Sequence, residues 1–581
     1  MKRLLPLLIL SVLFSCRGKQ EDSIMIIPVR ESAREVTLTI EKGGETLYVA
    51  DIRLATDGEA DYCVPLDLSH FGATKEDVHF SGVTDTEAWN LISLSDSFPE
   101  IPAEKYRPVY HHTPPYGWMN DANGLFYKDG LYHLYYQYNP FACVWGNMHW
   151  GHSVSRDLVH WEHEPVAIYR DAYGHIFSGS SVVDFDNTAG FGAGAVVAFY
   201  TSHNPGREYV QTQCLAYSLD DGMTFTKYEG NPVLVPFDGL KDFRDPKVFW
   251  YEPEQKWIMI VSADKEMRFY ASKNLKEWEY MSGCGDGYGV QPRQFECPDF
   301  FQLTTSEGET KWVMIVNVNP GCWFGGSATQ YFVGEFDGRE FTCDSPKETV
   351  KWLDWGKDHY ATVTFSNTGD RVIAVPWMSN WQYGTRVPTK YFRSANAIPR
   401  QLGLFRDGNE FYVSAYPVEE FSALEGESRT EGPVVVNGGA SRIGLFDSTD
   451  GAYELEISTG DLPAGISGFR LMNGSGEKVE MYFDSRAGRF FMDRTQGGIA
   501  DFGESRDQNT FAMATWAPLT VEGKHTVRII YDVCSLEVFI DGGKVAMTNL
   551  VFPDEPYNAI EFYSDKGRFI VDDLRITALG L

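Results

Sequence analysis

Five short motifs carry the residues able to do chemistry. They are Trp118-Met119-Asn120-Asp121-Ala122-Asn123-Gly124, Phe177-Ser178-Gly179-Ser180, Phe243-Arg244-Asp245-Pro246, Phe295-Glu296-Cys297-Pro298 and Asp358-His359-Tyr360-Ala361. Between them they hold the carboxylates Asp121, Asp245, Glu296 and Asp358, with the guanidinium of Arg244 among them. Taken one at a time each has an ordinary structural explanation. Asp-x-Asn-Gly and Asp-Pro are turn sequences, and a lone Glu is usually solvated or ion-paired. Brought to one polar pocket, the same groups match what hydrolysis of a glycosidic bond requires: one carboxylate as nucleophile or base and one carboxylic acid as proton donor. Like charges at close range cannot all ionise cheaply, so one carboxyl there must be pushed up in pKa. Glu296, between Phe295 and Cys297, is expected to be the desolvated, protonated member. Asp121 is expected to find hydrogen-bond donors and stay ionised, and Arg244 to hold a neighbouring carboxylate charged.

What would bring these motifs together is a repeat. Strongly β-type runs begin at Tyr132, Val196, Trp257, Trp312 and Val372, at spacings of 64, 61, 55 and 60 residues. A second series keeps step with the first: SRDLVHW from Ser155, SLDDGMTF from Ser218, SKNLKEW from Ser272 and EFDGREF from Glu335. Each reads as a strand end, a polar turn and an aromatic that opens the next strand. A unit of about 60 residues with roughly four strands is a propeller blade, and residues 106–400 hold five such units. One blade cannot bury both of its faces, whereas a closed ring of blades can. Equivalent positions in a ring surround its axis, so the five motifs should converge on one funnel. The competing architecture for this segment is a β-sandwich with accidental spacing.

The expected fold class is therefore all-β: a five-bladed β-propeller at 106–400, a connector at 401–432 and a C-terminal β-sandwich at 433–581, preceded by a small β module at 23–105. The sandwich is read from AYELEIST, KVEMYFDS, HTVRIIYD, LEVFIDGG, AIEFYSD and RFIVDDLRI. Composition agrees with this. The 581 residues are 43% apolar and 14% aromatic, with 15 Trp and 31 Tyr, as suits β structure or the stacking of rings on sugars. The net charge of −31 excludes a basic nucleic-acid-binding face.

Residues 1–22 read as an address label. Lys2 and Arg3 precede an apolar run, Leu4 to Phe14, that is too short for a comfortable membrane span, and Ser15-Cys16 follow. This resembles a bacterial lipoprotein signal with Cys16 as the lipidated mature N-terminus and 18–22 as a tether. The expected location is the cell envelope of a Gram-negative bacterium, at the outer membrane, with membrane contact through the lipid only. Eight further cysteines contain no C-x-x-C pair, and most are read as buried thiols.

The WMNDANG, FRDP and FECP blocks resemble the three signature blocks of the family-32 glycoside hydrolases, the β-fructofuranosidases. YYQYNP, WGNMHWGHS, FSGS and WMSNWQY match supporting blocks, and the resemblance spans about 106–581. It implies Asp121 as nucleophile at the anomeric C2 of a fructofuranosyl unit, Glu296 as general acid and then base, and Asp245 as transition-state stabiliser. Asn120, Gln137, Trp145, Ser178, Arg244 and Asp358 would line the terminal-fructose subsite, with Trp118 and Trp377 as apolar walls. The family retains configuration, so the two reacting carboxyls should lie about 5–5.5 Å apart. It uses no metal or organic cofactor. The family usually has Pro where this chain has Ala122. Ala reaches the same φ at about 1 kcal/mol or less of extra entropy, so a working but less rigidly set enzyme is expected.

WMSNWQY resembles fructan-degrading exo-enzymes more than invertases. The implied substrate is fructan or fructo-oligosaccharide, with release of terminal fructose from levan or inulin and lesser activity on sucrose. The alternatives are an endo-acting levanase, a non-catalytic fructan-binding lipoprotein and a hydrolase of arabinose-containing glycans. Retention of Asp121 and Glu296 argues against the binding protein. The Trp-Met-Asn-Asp and Glu-Cys blocks argue against the arabinose enzyme.

Overall fold

The computed structural model describes residues 23–446, 451–502 and 510–581, so the Cys16 lipidation signal lies outside the described residues. The chain divides into two compact units, residues 1–100 and 101–581. In the first unit, strands such as Ile24–Val29 and Val36–Lys42 alternate buried with half-buried residues, the pattern of a sheet with one face in the core. They form two three-stranded antiparallel sheets. A five-residue helix, Asp85–Trp89, is capped by Thr84 and Glu87.

The second unit opens with five four-stranded blades. The β-type runs of the sequence are the second strand of each blade: Leu131–Asn139, Ala195–His203, Lys256–Ala263, Thr310–Val318 and Ile373–Met378. They are almost wholly buried because a neighbouring blade packs on each face. The second series of motifs forms the turn between the third and fourth strands. Ser155, Ser218 and Ser272 Oγ there accept the backbone N–H two residues on, at 3.1, 3.3 and 3.2 Å, the same side-chain-capped turn in three blades. The ring closes where Ser366 of blade 5 exchanges backbone hydrogen bonds with Leu125 and Tyr127 of blade 1. Phe392–Arg393 also adds a parallel strand to Gly117–Trp118.

The first strands surround the axis, and each carries the same irregularity. Between Met119 and Ala122, Ile176 and Gly179, Arg244 and Lys247, Glu296 and Asp299, and Tyr360 and Val363, three steps on the first strand face two on the second. This is a one-residue β-bulge, which bends a strand and re-aims its side chains. It recurs in all five blades at the five chemistry-bearing motifs. In three blades the residue just after the last paired one has positive φ: Asp245 (62°), Cys297 (43°) and Ala361 (49°).

The boundaries after residue 400 differ from expectation. Arg400–Asp407 and Glu410–Pro417 are the outer strands of blade 5, and Glu425–Glu431 already pairs with the last strand of the sandwich. The expected connector at 401–432 is thus structured almost throughout. Its polar composition misled because edge strands carry polar residues. The sandwich is organised by one 21-residue strand, Ala559–Leu579. Its first half pairs with Ile466–Met472 and its second half with Tyr453–Thr459. The core between the sheets includes Phe469, Met481, Phe490, Ile529, Val538 and Phe562.

Buried charges join propeller to sandwich. Arg400 bridges Asp354 (2.8 Å) and Glu537 (2.6 Å). His111 lies between Asp532 (2.8 Å) and Glu537 (2.9 Å). Burial disfavours the imidazolium, but the two carboxylates outweigh it and raise the His111 pKa to about 9. A folded-state pKa above the ordinary 6.5 contributes stability that is full below that value and lost as pH rises through about 9. His111→Gln should therefore lower the melting temperature at pH 6, and its gap from the parent should shrink between pH 6.5 and 9. A gap that stays constant with pH in thermal melts would contradict the charged-imidazole assignment.

Candidate active site

The bulges of blades 1 to 4 aim side chains into a cleft of about 320 Å³ on the propeller axis, lined by Asn120, Asp121, Gln137, Trp145, Phe177, Ser178, His203, Gln211, Asp242, Arg244, Asp245, Glu296 and Trp381, and Tyr360 of the blade-5 bulge bonds to Glu296 from outside that lining. The three acids occupy three different positions around the bulge. Glu296 is the last paired residue before it, as are Arg244 and Tyr360 in the blades on either side. That shared register explains the Glu296 contacts. Arg244 Nη2 donates to Oε1 at 2.9 Å and the Tyr360 hydroxyl donates to Oε2. Asp121 lies two residues further along, level with Ser178 of blade 2. Ser178 Oγ donates to Asp121 Oδ2 at 2.6 Å and Asn120 Nδ2 donates to Oδ1 at 3.0 Å. Asp245 takes the position between, level with Cys297.

Cys297 ties the acids together. Its N–H donates to Asp245 Oδ2 at 2.8 Å, and its thiol lies 3.4 Å from Asp121 Oδ2. Gln211 Oε1 and Asp242 Oδ1 both accept from Arg244 Nη1, at 3.3 and 2.6 Å, and fix its planar fork.

Burial is the largest influence on two of the three carboxyls. It pushes Asp121 above the usual carboxylate range, opposed by the hydrogen bonds from Ser178 and Asn120. It pushes Asp245 up to about 7, with Arg244 pulling down and the charges of Asp121 and Glu296 pushing up. This corrects the expectation that Glu296 is the desolvated acid. Its side chain keeps 22% exposure against 6% for Asp245. Residue neighbours along the chain, Phe295 and Cys297, pointed to burial, but the bulge turns Glu296 toward the opening.

Eight of the eleven expected catalytic and binding residues line the cleft: Asp121, Glu296, Asp245, Asn120, Gln137, Trp145, Ser178 and Arg244. Trp118 and Trp377 do not; both are fully buried. They stand behind Trp381, which stacks on Trp118 at 5.7 Å and packs on Trp377 at 5.0 Å, so Trp381 is the ring at the cleft wall. Trp118 Nε1 also donates to Asn120 Oδ1 at 2.7 Å. Asp358 is likewise misplaced by the sequence reading. It is fully buried, ion-paired to Arg494 of the sandwich at 2.5 Å and bonded by Tyr383 and the Leu550 N–H. An unpaired carboxylate there would be prohibitively costly, and Asp358 serves the domain junction. The residues not singled out by sequence, Phe177, His203, Gln211, Asp242, Tyr360 and Trp381, include some inside quoted motifs. His203 and Gln211 come from the second and third strands of blade 2, which counting along first strands does not reach. Among the described residues no group of three or more His, Cys, Asp or Glu is placed to hold a metal ion.

A five-bladed propeller whose axial cleft gathers four carboxylates, one guanidinium and a tryptophan wall has the build of a glycoside hydrolase. Comparison with known proteins makes this specific. Residues 111–415 match the glycosyl hydrolases family 32 N-terminal domain and residues 420–578 the family 32 C-terminal domain. The chain belongs to family 32 of the glycoside hydrolases. Residues 13–110 match a domain of unknown function, DUF4980. The levanase of Bacillus subtilis (strain 168) is 43% identical over 487 residues, 82% of this chain and 71% of that protein. The extracellular exo-inulinase of Aspergillus niger is 38% identical over 499 residues, 78% of this chain and 90% of that protein. Among solved structures, exo-inulinase from Aspergillus awamori superposes with TM-score 0.76 at 35% identity, over 83% of this chain and 99% of that one. A fructofuranosidase from Schwanniomyces occidentalis complexed with fructosylnystose gives 0.75 at 33%, over 83% and 100%.

Arg244 is the nearest cation to Asp245, 3.9 Å away through Nε. Arg244→Met should therefore raise the Asp245 midpoint above its value of about 7. Infrared difference titration of the carboxyl band, with Asp245→Asn identifying the signal, measures this. An unchanged or lower midpoint would contradict the electrostatic assignment.

Proposed function

We propose that the protein hydrolyses fructans from the chain end, releasing β-fructose from levan or inulin and acting more weakly on sucrose. The supporting observation is the meeting of Asp121, Asp245 and Glu296 around Cys297 in a single axial cleft, together with relatives named levanase and exo-inulinase.

In this reading the terminal fructosyl unit enters the cleft with Asp245 and Arg244 on its hydroxyls and Trp381 against its apolar face. Asp121 attacks the anomeric C2 while Glu296 gives its proton to the departing glycosidic oxygen, leaving a fructosyl ester on Asp121. Glu296, now a carboxylate, takes a proton from water as the water attacks C2, and Asp121 leaves. The two donors on Asp121 favour its anionic form and oppose the upward push of burial. Arg244 and the Tyr360 hydroxyl hold Glu296 between the two steps, one oxygen each. Ser178, Asn120 and Gln137 supply polar partners along the same wall.

The lipoprotein-like residues 1–16 support a further proposal, attachment to the cell envelope through a lipid on Cys16. Labelling with a radioactive fatty acid should mark the parent and not Cys16→Ala; equal labelling would refute it. No helix among the described residues is long and apolar enough to cross a membrane.

Incubation with levan, inulin, sucrose and arabinan, followed by chromatography, tests the substrate. Fructose as the only product from levan or inulin is expected; a ladder of oligosaccharides would replace exo with endo action, and arabinose release would overturn the assignment. Glu296→Gln should lower kcat by about 10²–10⁴-fold, and Asp121→Asn by at least as much, with circular dichroism unchanged. Near-native turnover by either variant would refute its role.

A further inference from the structure

We infer that Trp323 and Trp516 form a second sugar-binding platform, outside the cleft, that holds the part of a polysaccharide chain not being cleaved. This rests on the fructan-hydrolase reading above and extends it to the polymer.

The chain has fifteen tryptophans, and two of them are exposed: Trp145 at 44% and Trp323 at 47%. Trp145 is in the cleft. Trp323 is not, yet it is held as firmly as a core residue. Its ring packs edge-on against Trp352 (6.0 Å, 88°) and Trp355 (5.5 Å, 62°), and lies against Trp516 of the sandwich at 5.4 Å with the planes 36° apart. Trp516, half-buried, is covered by the Arg489 guanidinium at 3.6 Å and by the edge of Phe324 at 5.8 Å. The result is an exposed indole, Trp323, backed by three tryptophans, with Trp516 as an adjoining ring that has one face taken by Arg489. A side chain with so large an apolar face stays exposed at a cost in solvation. Fixed aromatic faces of this kind stack on the C–H faces of sugar rings with little entropy to lose.

The occupant is set by what the platform is joined to. Trp323 sits in the 319–327 loop, and that loop is fastened to the one bearing the cleft wall. The Trp381 N–H donates to Ser327 Oγ at 3.1 Å. Asn380 Nδ2 donates to Gly325 O at 3.4 Å. Lys357 Nζ donates to Phe324 O, to Gly325 O at 3.1 Å and to Gln382 Oε1 at 2.7 Å. Gly326, at φ 75°, leaves no space between the loops: a Cβ there would fall 2.0 Å from Asn380 Oδ1. Ser327 is four positions after Trp323, so their Cα atoms are at most about 14 Å apart. Trp323, with Trp516 against it, is therefore carried on a loop bonded directly to the residue that forms the cleft wall, within reach of a long chain whose end is bound there. The net charge of −31 disfavours an acidic partner and is indifferent to a neutral polysaccharide.

The test compares Trp323→Ala and Trp516→Ala with the parent on high-molecular-weight levan and inulin and on sucrose. Each variant should lose about 3- to 10-fold in kcat/KM on a polymer while keeping the sucrose value within about twofold. It should also migrate faster than the parent through a native gel containing that polymer. Trp323→Tyr should recover part of the loss. Unchanged kinetics on both polymers would overturn the platform. So would an equal loss on sucrose, which marks a structural role, or unchanged polymer kinetics with an altered sedimentation coefficient, which marks the patch as a contact between copies of the chain. If the parent cleaved neither polymer, the fructan reading and the platform would fall together. If the parent cleaved them and Trp323→Ala cleaved them equally well, the platform alone would fall.

Discussion

The closure of five sheets into a ring is the constraint on which the site depends. An open stack of blades would leave the buried second strands exposed at both ends and would give the bulged first strands no common axis. Once blade 5 is joined to blade 1 through Ser366, Leu125 and Tyr127, residues separated by well over a hundred positions are forced to face one another. The bulge then does the local work. It occurs at the same place in every first strand, with a second irregularity in blade 1 between Asn123 and Phe126, and the residues immediately around it differ from blade to blade. Blade 1 supplies Asp121, blade 2 Ser178, blade 3 Arg244 and Asp245, blade 4 Glu296 and Cys297, and blade 5 Tyr360. Each of the carboxyls Asp121, Asp245 and Glu296 is thus bonded by its register-mate in another blade, and the make-up of the cleft is a consequence of repetition with substitution.

That arrangement also sets the electrostatics. Three carboxyls around one thiol and one guanidinium cannot be neutral overall at every pH, and burial makes the deepest of them the hardest to ionise. Asp245 bears most of this penalty, while Arg244 couples it to Glu296. Glu296, proposed as the proton donor, keeps more side-chain exposure than Asp245, 22% against 6%. A proton-exchanging group benefits from access to water, and a nucleophile benefits from a dry, hydrogen-bonded seat.

Much of this was legible in the sequence, because a propeller writes its period into the chain. The apolar second strands and the Ser-capped turns fixed the blade count, and the five motifs fell on the first strands. What was hidden has physical causes. Position around a bulge depends on register, so Tyr360 was invisible as a partner of Glu296 while the neighbouring Asp358 was mistaken for a binding residue. Burial against a distant domain decided that case, since Arg494 is 136 residues away. Trp377 and Trp381 lie in one motif, and only packing tells the buried ring from the one at the surface of the cleft. The 401–432 segment failed for a related reason: outer strands of a blade and edge strands of a sandwich have the polar composition of linkers.

The proposed mechanism depends most directly on which atom takes the sugar. Glu296→Ala should still react with a fructosyl donor whose leaving group needs no proton, but should deacylate slowly for want of a base. Mass spectrometry of the rapidly quenched and digested variant should then find one fructosyl group esterified to Asp121. An adduct on any other residue, or none while donor is consumed in a burst, would contradict it.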